Sequence, residues 1–92
     1  MSEEKRYLRG EVRAFARLME KKLREHDDRP GWKDCDPEWL LDRLLEEFLE
    51  LWRAVRLAGE DRDFWVPKEA ADVANFAMMI VDICGALEAN DE

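Results

Sequence analysis

The chain has 92 residues, of which 41% are charged, and a formal net charge of −8. That length gives one domain with a core that is marginal on its own. The acidic balance excludes a general nucleic-acid binder, which needs a basic footprint, and a protein drawn to an anionic membrane surface. A phosphate ligand fits such a chain only where carboxylates collect a divalent cation.

Gly (4) and Pro (3) are scarce while Leu, Ala, Glu and Arg are common, and no run alternates with period 2. The expected fold class is all-α: one domain over residues 1–92, an antiparallel bundle of about three main helices completed by dimerisation. Cys35 and Cys84 lie far apart with no C-x-x-C. They read as free thiols of a reducing cytoplasm. The run Met1 to Arg6 has no apolar stretch after it, so no signal peptide is expected. The most apolar segment, Val73 to Leu87, contains Asn75 and Asp82 and is too short to span a bilayer.

The first helix is expected from about Glu3 to about His26, with Ser2 as N-cap. Leu8, Val12, Phe15, Met19 and Leu23 form one apolar stripe on it. Asp27-Asp28-Arg29-Pro30-Gly31 breaks the pattern, and Trp32-Lys33-Asp34-Cys35 continues the loop. Asp36-Pro37-Glu38 is a strong start signal for a second helix, from about Pro37 to about Ala58. Its apolar face holds Leu41, Leu44, Leu45, Phe48, Leu51, Trp52 and Val55, and Gly59 reads as its stop. Glu60 to Asp63 is expected as a polar loop. Pro67 then opens a third helix running to about Glu88. This helix is apolar nearly all round, which places it near a dimer interface.

Two acidic pairs stand out. Glu47 and Glu50 are spaced i, i+3 on the second helix, and Glu69 and Asp72 repeat that spacing on the third. Eighteen residues separate Glu50 from Glu69, enough to turn and bring the pairs face to face. Acidic pairs are common on solvated helix faces, and Glu69 also suits a first-turn position by the helix dipole. Asp72 is harder to explain that way, because a lone carboxylate on an apolar helix is costly unless paired or metal-bound. The spacing therefore leaves two readings open: a hard divalent cation on oxygen ligands, or a structural ion network.

The run Glu46-Glu47-x-x-Glu50 followed by Glu69-x-x-Asp72 resembles the EExxE…ExxD signature of the all-α nucleotide pyrophosphatases, the MazG proteins and dimeric dUTPases. Glu69 to Ile80, EAADVANFAMMI, and the element Gly31-Trp32-Lys33 look like the MazG-like branch, and the resemblance covers roughly Gly31 to Gly85. It implies a nucleoside triphosphate pyrophosphohydrolase that cleaves between the α and β phosphates, giving monophosphate and pyrophosphate. It implies Mg²⁺, with Mn²⁺ as a substitute, on Glu47, Glu50, Glu69 and Asp72. Glu46 is a further ligand or, with Glu47, an activator of water. It also implies a nucleoside triphosphate substrate and a homodimer or tetramer.

Asn75 is a candidate substrate contact or an interhelical hydrogen-bonder. Trp32 either stacks on a base or seals its loop. Lys33 is a candidate phosphate contact, together with Arg29 and Lys68. Against the family's pattern no basic clamp is identifiable, and the further elements that follow the third helix in some relatives are not expected. The alternative is a non-catalytic helical dimer serving as an interaction or regulatory module.

Overall fold

A computed structural model describes residues 7–87. Among them are three α-helices and no strand: α1 (Gly10–Arg24), α2 (Pro37–Val55) and α3 (Gly59–Ile83). The expected N-cap Ser2 and first turn at Glu3 lie outside the described residues, as does Glu88. α1 begins later than the stripe suggests, at Gly10, and Arg9 supplies no side-chain cap.

α2 starts where its signal places it. The Asp36 carboxylate accepts a hydrogen bond from the Glu38 amide at 2.8 Å, and Pro37 occupies a position where no amide hydrogen is needed. The helix ends at Val55, short of Ala58. Arg56, Leu57 and Ala58 then make the whole connection to α3. So short a link forces α2 and α3 to run antiparallel.

The start of the third helix needs correction. Residues 60–66 are helical, and Pro67 lies inside α3 rather than at its start. Glu60 and Asp61 in the first turn complement the helix dipole, and no Gly or Pro interrupts the run before Pro67. Gly59 takes φ +59°, the left-handed turn that folds α3 back on α2. Pro67 leaves the Asp63 carbonyl without its i+4 amide donor. The end also differs: Gly85 at φ +76°, with Gly85 N–H to Asp82 O (3.0 Å) and Ala86 N–H to Val81 O (3.1 Å), closes α3 in a Schellman motif.

α3 is the central element. α2 packs along it, α1 packs on it too, and α1 and α2 do not meet each other. The buried set is small: Leu40 and Ala54 on α2, Ala71 and Asn75 on α3. Trp39, Trp52 and Trp65 are all substantially exposed. No described helix is long and apolar enough to cross a membrane.

Candidate metal centre

The antiparallel seam does bring acids together. Glu47 of α2 and Glu69 and Asp72 of α3 each offer a carboxylate oxygen, and these oxygens lie within 4.8 Å of one another. The i, i+3 spacing puts Glu69 and Asp72 on one side of α3, and Glu47 meets them from across the seam.

Crowding shows in the proton affinities. Burial raises the Glu47 carboxyl above its usual range, and the Asp72 charge adds to it, while Arg43 pulls the other way. Glu69 is raised by burial, then by Asp72 and Glu47. Asp72 is raised by burial against the opposing pull of Lys22 and His26. All donors are carboxylate oxygens, the set a hard divalent cation prefers. A cation of that class would relieve the repulsion, so the residues fit one.

Glu50 and Glu46 are not in this cluster. The Glu50 carboxylate is half-exposed and pairs with Arg53 at 3.3 Å, although its charge still raises Glu47 and Glu69. Glu46 is exposed and bound to Arg43.

Two basic residues compensate the cluster in part. Arg43 reaches Glu47 at 3.4 Å from one turn back and lies over the Phe76 ring at 5.2 Å. Lys22 comes from α1 and stands 3.7 Å from Asp72. Neither is among the site residues expected from the sequence. Arg43 was legible as an i, i+4 partner of Glu47; Lys22, fifty residues before Asp72, left no local signal.

A cavity of about 540 Å³ opens beside the cluster, bounded by Glu47, Asp72, Lys22, Arg43, Trp32 and Trp39, with His26, Arg29 and Asn75 also on its wall. Asn75 is buried. Its amide donates to the Met19 carbonyl at 3.1 Å and ties α1 to α3, while its Oδ1 has no donor among the described residues.

Trp32 is on the cavity wall, but its indole N–H donates to Asp82 at 2.8 Å. Lys33 donates to the same Asp82 oxygen at 2.5 Å and does not line the cavity. These two bonds hold the Asp82 carboxyl below its usual range, that from Lys33 contributing most. Together they fasten the loop between α1 and α2 onto α3. Lys68 lies over the Phe64 ring at 4.8 Å, away from the cavity. Of the candidate phosphate contacts, only Arg29 faces the cavity.

Cys35 and Cys84 are free thiols. No protein-family model, no curated protein and no solved structure matches this chain.

Proposed function

We propose that this chain is a Mg²⁺-dependent nucleoside triphosphate pyrophosphohydrolase that works as a homodimer. One observation carries the reading: three carboxylates from facing helices converge beside a cavity whose wall also bears Lys22, Arg43 and Arg29. Acids at one end and cations along the wall suit a ligand that arrives as a metal–polyphosphate.

Glu47, Glu69 and Asp72 would hold the ion, with Glu50 one turn away. Bound there, Mg²⁺ neutralises phosphate charge and lowers the pKa of a bound water. The chain's own residues do the rest. Lys22, Arg29 and Arg43 face phosphate oxygens. The aromatic faces of Trp32 and Trp39 exclude water along the cavity wall. Glu47, one of the ligands, is also the candidate to take the proton from the bound water.

A second reading, a non-catalytic helical dimer, draws on the same cations. Arg43 and Lys22 already compensate part of the acidic charge, as in a structural ion network.

The deciding experiment incubates the purified chain with Mg²⁺ and a panel of ribo- and deoxyribonucleoside triphosphates and resolves the phosphate products. Monophosphate with pyrophosphate, lost in Asp72→Asn and Glu47→Gln, is expected. Release of orthophosphate, or no product from any nucleotide, sinks the reading.

A further inference from the structure

α2 carries two apolar faces, and only one is used. Leu40, Leu44, Leu51 and Ala54 turn inward to α3. Leu41, Leu45, Phe48, Trp52 and Val55 follow one another at spacings of four, three, four and three on a separate side of the helix. Each of these five is between 46% and 59% exposed. α1 packs on α3 and does not reach them. The 3.5-residue repeat is the seam of one helix against another.

The charges along this seam say which helix. On one edge of the stripe stand Glu38 and Asp42 near the start of α2, then Arg53 and Arg56 near its end. All four are exposed. Glu38, Asp42 and Arg56 form no ion pair among the described residues; the Arg56 guanidinium lies over the Trp52 ring at 3.9 Å and donates to the Trp52 carbonyl. The pattern is acidic at one end and basic at the other, with Phe48 near the middle.

We propose that a second copy of this chain covers the stripe, the two α2 helices pairing antiparallel about a twofold axis near Phe48. Phe48 then meets the partner's Phe48. Leu41 meets the partner's Val55, and Leu45 meets the partner's Trp52. On the edge, Glu38 faces the partner's Arg56 and Asp42 faces the partner's Arg53. One patch is complementary to itself under a twofold, the requirement for an isologous dimer. Parallel pairing would set Glu38 against Glu38 and Arg56 against Arg56, a like-charge penalty that selects orientation. The carboxylate of Glu47 lies on the inner side of α2, so the pairing leaves the acidic cluster open. This inference gives the homodimer of the preceding section its surface and needs none of its chemistry.

The test reads mass and cross-linking without metal or nucleotide. Light scattering of the 92-residue chain should give twice the 10.9 kDa chain mass. Phe48→Glu should return the monomer mass while the helical circular dichroism persists. With Cys35→Ser and Cys84→Ser as background, Phe48→Cys should cross-link to itself under mild oxidation, and Leu41→Cys should not. Arg56→Glu should raise the dimer dissociation constant about tenfold through two symmetry-related pairs, and Glu38→Arg in the same chain should recover it. A monomer at micromolar concentration, a dimer indifferent to Phe48→Glu, or self-cross-linking at Leu41 instead of Phe48 overturns the proposal. An intact dimer without hydrolysis would remove the enzymatic reading and leave this one standing.

Discussion

Glu47, Glu69 and Asp72 hold their protons more tightly than free carboxyls do, with burial as the largest cause in each. A carboxyl whose folded pKa is raised contributes stability that is fully present below its ordinary value, and that stability is lost as pH rises through the raised folded value. The ordinary values here are 4.5 for Glu and 3.8 for Asp. The metal-free fold should therefore weaken as pH rises from that range toward neutrality. Glu47→Gln should raise the metal-free melting temperature at pH 7 by roughly a few degrees and abolish stabilisation by added Mg²⁺. Arg43 keeps Glu46 as a partner in that variant. A thermal melt with and without Mg²⁺ across pH checks both statements; an unchanged or lowered metal-free melting point counts against the repulsion. Asp82 has the opposite sign. Its pKa is lowered, so its contribution is present above 3.8 and is lost as pH falls through the lowered value. Asp82→Ala should speed amide exchange across residues 26–36 and leave α2 unchanged, as read by hydrogen-exchange mass spectrometry.

At the scale of elements, the interior proline of α3 is the feature that local rules mispredict. Pro near a helix start is common enough that Pro67 reads as one, with Glu60 to Asp63 as a loop before it. Helical packing on α2 overrides that reading, at the cost of the i+4 amide donor that Pro67 cannot give the Asp63 carbonyl. Pro67→Ala should restore the missing donor and stabilise the fold by about 1–3 kcal/mol, less the entropy that proline removes from the unfolded chain. Urea unfolding measures the change, and destabilisation would mean that the proline ring's own packing outweighs the missing bond. The start of α2 was legible because Asp36 and Pro37 act within one turn. The end of α3 was equally local, since Gly85 closes it, but the apolar run through Leu87 masked the glycine. The acidic cluster was legible from two i, i+3 spacings. Its partner Lys22, the latch on Asp82 and the exclusion of Glu50 were not, because each depends on how helices from distant parts of the chain dock.

For the molecule as a whole, the buried set among the described residues contains one large side chain, Leu40, which is 1% exposed. Two alanines and an amide complete it. Leu40→Ala should cost about 2–5 kcal/mol, a large share of the stability a domain this small can hold. Denaturant melts should show the variant largely unfolded at ambient temperature, and a loss below 1 kcal/mol would mean that the cavity collapses (~2 kcal/mol is the lower end for a buried leucine). Many large apolar side chains are exposed, among them Trp39, Leu41, Leu45, Phe48 and Trp52 on α2. Stability should therefore rise with protein concentration, the behaviour of a fold completed by association.

Asp72, Asn75 and Asp82 fall along α3 at spacings of three and seven residues, so they lie within about 80° of one another on one side of that helix. One belongs to the acidic cluster, one ties down α1, and one fastens the loop. The helix thus works as a keyed shaft. A one-residue insertion between Pro67 and Asp72 would turn everything beyond it by about 100° and disengage all three keys together. A slip of that kind cannot remove the acidic cluster and keep the scaffold: the two are geared to the same rotation.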